Sequence, residues 1–217
     1  LYFFDVGKIK ISGSSPEALV KLEDGQAILN PIAGTKPRGS SKEQDILMEK
    51  ELLNDPKENA EHVMLVDLAR NDLGRVASAG SINVDPYRKI ERYSHVMHIV
   101  SGVKGRLIKN KDALDLFSAT FPAGTLVGAP KIRAMEIIRN LEPCGRGLYG
   151  GTIGYFSKNG NMDQAITIRT MVFNEDEVSF QAGAGIVADS IPETEYQEVL
   201  AKSEVLRKSL KMASEGL

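Results

Sequence analysis

The strand-forming segments of this chain come in runs, with helices between the runs rather than one helix after every strand. Residues 2–29, 82–103 and 150–184 have extended patterns, the last with turns at Asn159-Gly160 and at residues 174–177. Residues 42–53, 56–73, 112–119 and 132–141 carry helical spacing, and a long helix ends the chain. Gly74 is expected to close the second of these helices as a glycine cap. Strict βαβ alternation would indicate a parallel sheet. This grouping instead predicts an α+β fold with mainly antiparallel sheets, in which residues 2–29 form a β-meander and residues 150–184 three strands.

Size and charge limit the classes of protein that fit. A chain of 217 residues with 42% hydrophobic content can bury a large core, and we expect one domain over residues 1–217. Its 27 basic and 29 acidic residues leave a net charge of -2, which favours neither a nucleic-acid nor a membrane-surface partner. No apolar run has the length of a membrane span, and the single cysteine, Cys144, suits a reducing cytoplasm. The first residue is not methionine, which suggests that a longer polypeptide precedes it.

Two pairs of glutamates share one spacing. Glu58 and Glu61 follow Pro56, and Glu195 and Glu198 follow Pro192. Residues three apart lie on the same side of a helix, so each helix would present two carboxylates in one direction. Hard carboxylate oxygens suit Mg²⁺, whereas without a cation they would repel one another.

Helix capping is the alternative interpretation for part of this set. Glu58 follows Asp55, and Glu193 follows Ser190, at the spacing of a capping box, where an acid satisfies free backbone amides. That interpretation stays open for Glu58 and is favoured for Glu193. It does not reach Glu61, Glu195 or Glu198, which lie a turn or more along the helices.

Two glycine-containing stretches resemble nucleotide-binding loops without meeting their requirements. Residues 181–189 match GxGxxA, but the predicted helix begins only after Ser190 and Pro192, whereas a dinucleotide-binding turn opens a helix at once. The amides of Gly183, Ala184 and Gly185 could bind an oxyanion at a strand end, or the stretch is a bulge or a close strand contact. Residues 124–131 do not satisfy the phosphate-loop motif GxxxxGK[ST]. They fit either a loop before a helix, in which Thr125 presents its hydroxyl to a ligand, or a helix start without a binding role.

Three further residues are candidates for chemistry. His95 and His98 lie in a strand-like run and point to opposite faces, because three is an odd separation. A strand histidine is more often structural than catalytic, although a neutral imidazole can relay protons. Arg169 is an arginine in the apolar run 166–170, where we expect a protein or substrate carboxylate as its partner.

These segments together resemble the chorismate-utilising enzymes, and the anthranilate-forming branch most closely. The motifs that carry the resemblance are SSPE (14–17), PIAGTKPRG (31–39), DPKENAEHVMLVDLARNDLGR (55–75), YSHVMHIVS (93–101), FPAGTLVGAPKIRAME (121–136), YGGTIGYF (149–156), IRT (168–170) and QAGAGIVADSIPETEYQE (181–198). They cover nearly the whole chain in the order expected for the family.

The resemblance implies a Mg²⁺ site and a chorismate site. Glu61 and Glu198 would ligate Mg²⁺ directly, with Glu58 and Glu195 in or just outside the coordination shell, and the ion would hold the ring carboxylate of chorismate. The other substrate-binding residues that it implies are Tyr149, Arg169, Gly183, Ala184, Gly185, Thr35 and, more weakly, Lys202.

It also implies catalytic roles for three side chains. His98 is the catalytic histidine, Thr125 lies against the substrate, and Glu17 protonates the departing C4 hydroxyl. Burial or neighbouring carboxylates would keep such an acid protonated.

Position 33 separates branches of the family. Aminodeoxychorismate synthases commonly carry a nucleophilic lysine there, and Ala33 cannot attack, so ammonia would add directly. Thr125 also favours the anthranilate branch. The lysine that isochorismate and salicylate synthases use would lie before Leu1, although the motif at 121–131 argues against them. A catalytically silent chorismate-binding protein is the alternative of a different class.

The resemblance further implies partners. A glutamine amidotransferase subunit would deliver ammonia, and tryptophan would be the feedback inhibitor. Family chains are roughly twice this length, so much of the tryptophan site and of the subunit contact would lie upstream. We expect a nearly complete catalytic set on a piece that does not necessarily fold or turn over alone.

Overall fold

The computed structural model describes residues 1–93 and 96–216, and the prediction for His95 therefore lies outside the described residues. The strands are β1 (Tyr2–Asp5), β2 (Ile9–Gly13), β3 (Ala18–Glu23), β4 (Gln26–Leu29), β5 (Ile32–Pro37), β6 (Asn83–Val84), β7 (Lys89–Arg92), β8 (Val96–Val100), β9 (Val103–Arg106), β10 (Thr152–Phe156), β11 (Met162–Ile166), β12 (Thr170–Asn174) and β13 (Glu177–Ser179). The helices are α1 (Lys42–Asn54), α2 (Pro56–Gly74), α3 (Ala113–Thr120), α4 (Gly124–Val127), α5 (Lys131–Leu141) and α6 (Pro192–Ser214).

The chain divides into two compact units. The first consists of Leu1–Pro16, Thr125–Ile153 and Ala165–Leu217, and the second of Glu17–Gly124 and Gly154–Gln164. The assignment of one catalytic domain to residues 1–217 stays a prediction.

The first unit contains a four-stranded sheet in the order β1-β2-β12-β13. Its ladders are antiparallel, and Gly13 pairs with Tyr2 on one side and with Thr170 on the other. The Tyr2 ring covers Gly13, because a Cβ at Gly13 would lie 2.4 Å from Cε2 of that ring. The Tyr2 hydroxyl then lies 2.5 Å from Oγ1 of Thr170. The missing side chain at Gly13 thus allows an aromatic ring to lie across the sheet.

The second unit is built on two sheets and three helices. A six-stranded sheet in the order β10-β11-β3-β4-β9-β6 belongs mainly to this unit, and β5-β8-β7 form a three-stranded sheet. Leu52 of α1 packs with Met97 and Ile99 of β8, and all three are fully buried. Helix α2 buries a face at the spacing of three and four that an amphipathic helix predicts. That face comprises His62, Leu65, Val66, Ala69, Asp72 and Leu73.

The fold class predicted from the sequence, α+β with mainly antiparallel sheets, is confirmed. The predicted helices are also found, with ends within about one residue. Among the described residues, no helix combines the length and the apolar character that a membrane span needs.

Two strand predictions were wrong in detail. Residues 2–29 do not form one meander, because β1 and β2 pair in one sheet whereas β3 and β4 pair in another. The intervening Ser14–Glu17 stretch contains Pro16, which cannot donate to a ladder and interrupts the pairing. Residues 150–184 hold four strands rather than three, because the chain leaves the extended conformation between Ile166 and Thr170.

Helix ends differ from expectation at two places. Ser190 does not cap α6: the N-cap is Ile191, without a side-chain bond, and the Ser190 hydroxyl accepts from the Val187 amide instead. Capping through Ser190 therefore does not account for Glu193. Helix α2 ends at Gly74 with Arg75 as its C-cap in right-handed helical geometry, so the left-handed glycine cap expected there does not form.

Candidate active site

In the second unit, His98 lies on β8 beside an irregularity in the neighbouring strand. The β5–β8 register pairs Ala33 with Ile99 and Thr35 with His98, so Gly34 is the extra residue of a β-bulge. Its φ of +69° is a conformation that glycine adopts at low cost. The bulge brings the Gly34 carbonyl oxygen to 2.9 Å from Nδ1 of His98, and the Thr35 hydroxyl to 3.1 Å.

This contact determines which imidazole nitrogen carries hydrogen. A carbonyl oxygen can only accept, so Nδ1 of His98 is the donor. In a neutral ring the lone pair is then on Nε2. The half-buried His98 side chain therefore presents Nε2 as its proton acceptor. Sequence spacing contains no information on this choice, because it depends on a backbone carbonyl in another strand.

The bare backbone of Gly34 also lies against Glu58. A Cβ at Gly34 would be 2.9 Å from Cδ1 of Leu52 and 3.1 Å from Oε2 of Glu58. Glu58 is half-buried in the first turn of α2, where Asp55 caps the helix by accepting from the amides of Lys57 and Glu58. Glu61 follows on the same helix face and is exposed.

A buried polar cluster supports the helix that carries these glutamates. His62 is fully buried, and its Nε2 lies 2.7 Å from the Ser101 hydroxyl, which also accepts from the Arg88 amide. Arg88 in turn donates through Nη2 to the Leu53 carbonyl and the Asn59 side-chain oxygen. Burial first, and then the charge of Arg88, lower the pKa of His62 to about 4, so the ring is neutral near pH 7.

Sequence reasoning did not single out His62, Arg88 or Ser101. The signal for His62 is its position three and four residues before the buried Leu65 and Val66, which places it on the apolar side of α2. Glu17, by contrast, was predicted as an acid from the family motif. It precedes β3 directly and its side chain is half-buried.

In the first unit, Tyr149 and the glycine-rich stretch lie together. A Cβ at Gly183 would be 2.8 Å from the Tyr149 hydroxyl, so only glycine leaves room for that group. Burial raises the pKa of Tyr149, and the nearby charges of Arg146 and Arg169 offset part of that increase. The phenol is therefore neutral near pH 7 and can donate a hydrogen bond.

Lys202 connects the same stretch to α6. Its ammonium donates to the Gly183 carbonyl at 3.2 Å and pairs with Oε1 of Glu198 at 2.5 Å. Glu195 lies three residues before Glu198 on this helix and is half-buried. The backbone from Gln181 to Ala188 has no regular secondary structure, and a helix begins only at Pro192. The rejection of a dinucleotide-binding turn is therefore consistent with the fold, whereas the strand end expected at residues 183–185 is not found.

Arg169 does not lie in a strand, which corrects the sequence interpretation. It occupies the break between β11 and β12 with a φ of +51°, an unfavourable conformation for a residue with a Cβ. Its carbonyl accepts from the Ser14 amide at 3.1 Å, which fixes the break against the end of β2. Strained residues of this kind concentrate at functional sites. Thr125 lies in the short helix α4 and is exposed.

The donor chemistry of the glutamates fits Mg²⁺. Helix α2 provides Glu58 and Glu61, and α6 provides Glu195 and Glu198, as two carboxylates three residues apart in each case. Mg²⁺ in proteins is commonly held by one or two carboxylates together with substrate and water, so one such pair is an adequate set. Within residues 1–93 and 96–216, no three His, Cys, Asp or Glu side chains form a ready cluster of metal ligands. The four-glutamate site stays a prediction.

Comparison with known proteins now defines the class. The family described as chorismate binding enzyme matches residues 1–208, and the chain belongs to this family. The family resemblance inferred from the motifs is confirmed.

The relatives within the family are more specific. Anthranilate synthase component 1 of Aquifex aeolicus is 56% identical over 216 residues, which is 100% of this chain and 44% of that protein. The Acinetobacter calcoaceticus protein of the same name is 57% identical over 95% of this chain and 42% of its own length. The chain thus spans less than half the length of these relatives.

Solved structures agree with the fold. The crystal structure of anthranilate synthase component I from Streptococcus pneumoniae matches with a TM-score of 0.88 and 50% identity, over 94% of this chain and 45% of that one. The menaquinone-specific isochorismate synthase of Escherichia coli matches with a TM-score of 0.83 and 28% identity, over 93% and 46%. The architecture is therefore common to synthases that are named for different products, and side chains must decide between them.

Proposed function

We propose that this chain is the catalytic part of an enzyme that converts chorismate and ammonia to anthranilate, pyruvate and water. The observation that carries the proposal is the identity of more than half of the residues, over the whole chain, to relatives named anthranilate synthase component 1. Ala33 adds to it. This residue is buried in β5 and has no group that could attack chorismate, so ammonia is the nucleophile.

Substrate binding is assigned to a set of side chains and backbone amides. Tyr149, Arg169 and the amides of Gly183, Ala184 and Gly185 bind the enolpyruvyl carboxylate, through a neutral phenol, a cation and backbone donors. Thr125 contacts the substrate. Lys202 and Thr35 complete the binding set, Lys202 because its ammonium already lies against the Gly183 carbonyl.

Glu61 and Glu198 would hold Mg²⁺, with Glu58 and Glu195 beside them. When bound, Mg²⁺ would supply a positive charge to the ring carboxylate of chorismate and would withdraw electrons from the ring. Lys202, paired with Glu198, would orient the Glu198 carboxylate until the ion binds.

Two proton transfers are assigned to this chain. As ammonia adds at C2, Glu17 donates its proton to the C4 hydroxyl, which leaves as water. In the second step the C2 proton is removed, and its bonding electrons complete the aromatic ring as the bond to the enolpyruvyl oxygen breaks. The enolpyruvate that leaves takes up a proton from water at its methylene carbon and becomes pyruvate. Nε2 of His98 is the acceptor for the C2 proton, because Nδ1 is occupied by its bond to the Gly34 carbonyl.

Anthranilate fluorescence from chorismate and ammonium, on the full-length polypeptide with and without Mg²⁺, tests this function when all aromatic products are identified by mass. Mg²⁺-dependent anthranilate is the expected result. Aminodeoxychorismate, isochorismate or salicylate would overturn the choice of product. If no product forms at all, a silent chorismate-binding protein would be favoured.

Glu17→Gln separates an enzyme from a silent binder. Loss of the general acid is expected to lower kcat by about 10²-fold or more, with the affinity for chorismate nearly unchanged. A binder would keep its affinity and have no rate to lose. Glu23→Gln, an exposed acid on the following strand, is the control and should behave like the wild type.

The partners belong to the same proposal. A glutamine amidotransferase subunit supplies ammonia, and tryptophan inhibits the reaction; the cytoplasm is the compartment, on the basis of cysteine usage. Glutamine-dependent turnover that appears only when a second subunit is added would support the first point. Glutamine-dependent turnover without a second subunit would contradict it. Turnover that still requires ammonium when the second subunit is present would also contradict it.

A further inference from the structure

Arg146 makes a two-pronged ion pair in the connection between α5 and β10. Its Nε donates to both carboxylate oxygens of Glu142, at 3.1 and 2.9 Å, and its Nη2 donates to Oε1 at 2.6 Å. Only 22% of the Arg146 side chain and 30% of the Glu142 side chain are exposed. This geometry requires the planar guanidinium fork, which lysine does not have.

The remaining arm of Arg146 reaches the helix that carries Thr125. Nη1 donates to the carbonyl oxygen of Leu126 at 2.7 Å. Leu126 follows Thr125 in α4, and a helix of four residues satisfies few of its own carbonyl groups. The bond to Arg146 therefore fixes the backbone next to Thr125.

The same guanidinium also holds Tyr149. Its Cζ atom lies 5.6 Å from the centre of the Tyr149 ring, within the range of a cation–π contact. The Tyr149 amide donates to the Arg146 carbonyl at 3.0 Å. Gly150 follows with a φ of +72°, a conformation that glycine adopts at low cost. Ring and backbone of Tyr149 are thus both tied to one residue.

We infer that Glu142 and Arg146 form a positioning pair that holds Thr125 and Tyr149 in the arrangement needed to bind the substrate. Glu142 orients the guanidinium, and the guanidinium orients the two side chains. The inference rests on the proposed function, because that function gives Thr125 and Tyr149 their substrate contacts. Neither Glu142 nor Arg146 is itself assigned a contact with chorismate.

Steady-state kinetics on the full-length enzyme test the pair. Arg146→Ala and Arg146→Lys are expected to raise KM for chorismate at least tenfold with a smaller change in kcat, since the lost contacts act in both ground and transition states. Glu142→Gln is expected to raise KM less, because an amide keeps one acceptor oxygen. Added guanidinium should lower the KM of Arg146→Ala.

Arg133 provides the matched control. It pairs with Glu136 at 2.9 Å on α5 of the same unit, and both side chains are mostly exposed, so Arg133→Ala is expected to leave KM unchanged. If Arg146→Lys kept the wild-type KM, the inference would be wrong, because the fork would be dispensable. A KM for Arg146→Ala that does not respond to guanidinium, in a variant that melts at the wild-type temperature, would also overturn it.

A second readout does not depend on turnover. Hydrogen exchange of the backbone amides in residues 124–128 and 147–151 is expected to become faster in Arg146→Lys and to stay unchanged in Arg133→Ala. Unchanged exchange in Arg146→Lys would contradict the positioning role, even if Arg146→Ala failed to fold. If the wild-type enzyme makes no anthranilate, the proposed function is wrong. If hydrogen exchange is nevertheless faster in Arg146→Lys, the link between Arg146 and Tyr149 is still supported.

Discussion

The chemistry of His98 depends on one backbone oxygen. The Gly34 carbonyl accepts from Nδ1, and this leaves Nε2 as the only nitrogen of the neutral ring that can take a proton. The carbonyl points there because Gly34 is the extra residue of a bulge with positive φ. Gly34, which has no reactive side chain, thus determines which nitrogen of His98 can accept a proton.

Gly34→Ala is predicted to destabilise the protein by roughly 1–3 kcal/mol, from backbone strain plus a Cβ contact with Leu52. Urea unfolding of the variant measures this. Gly25→Ala is the control, because Gly25 also has positive φ, but its Cβ would meet no atom within 4 Å. If both variants lost the same stability, crowding at Gly34 would not contribute.

Gly183→Ala is predicted to raise KM for chorismate about tenfold, with little loss of stability, because its Cβ would displace the Tyr149 hydroxyl. Gly185→Ala is the comparison: a Cβ there meets no atom within 4 Å and the amide is retained, so the increase should be smaller. Equal KM values for the two variants, obtained from initial rates, would show that the Tyr149 contact is not what matters.

At the scale of elements, a partly buried ion pair joins the end of β5 to α1. Asp45 is only 7% exposed and accepts from Nε and Nη2 of Arg38 as well as from the Gly39 amide. Arg38 also donates to the Tyr93 carbonyl, so the pair fixes the loop that follows the Gly34 bulge against a helix start. Hydrogen bonds from Arg38, and then from Gly39, hold the pKa of Asp45 below its ordinary value of 3.8.

This shift predicts a pH dependence of stability. A carboxyl group whose pKa is lower in the folded state stabilises it above the unfolded pKa, and this contribution is lost as pH falls through the folded pKa. Asp45→Asn should therefore be less stable than the wild type near pH 7, and the difference should shrink below about pH 4. Urea midpoints between pH 2 and 7 measure it.

Asp67→Asn serves as the control for that titration. Asp67 pairs with Arg70 at 2.9 Å on the surface of α2, with both side chains more than half exposed. Such pairs contribute little, so this variant should follow the wild type at every pH. A constant stability gap between Asp45→Asn and the wild type over the whole range would mean that the charge of Asp45 is not what stabilises the fold.

At the scale of the whole molecule, ligand binding should raise the melting temperature of the protein. Without ammonia, chorismate and Mg²⁺ together are predicted to raise Tm by more than the sum of their separate effects, since each helps to bind the other. The Glu61→Gln variant should lose the part of the Tm increase that depends on Mg²⁺. Thermal unfolding of the full-length polypeptide with each ligand combination measures this.

Glu193→Gln is the matched control for this experiment. Glu193 is an exposed acid in the first turn of α6 and lies outside the glutamate pairs. Its variant should keep the full Mg²⁺-dependent increase in Tm. The assignment of the metal to the paired glutamates would fail if Glu61→Gln and Glu193→Gln responded alike, or if Mg²⁺ had no effect on the wild type.

The sequence alone determined the fold class, the helices and the family. Apolar periodicity separates helices from strands locally, and long motifs such as residues 55–75 and 181–198 are too specific to arise by chance. The candidate residues other than Lys202 were named in the same way, because the motifs contain them; Lys202 lies one helical turn beyond the last motif.

Only the tertiary structure decided how those residues are held. The prediction of one meander at residues 2–29 was wrong because strand partners come from distant parts of the chain. Strand β2 pairs with β12, and β4 pairs with β9. The Nδ1 hydrogen of His98, the room that Gly183 leaves for Tyr149, and the arms of Arg146 all depend on atoms far away in sequence. Local propensity carries no information on such contacts, because they form only when separate elements pack together.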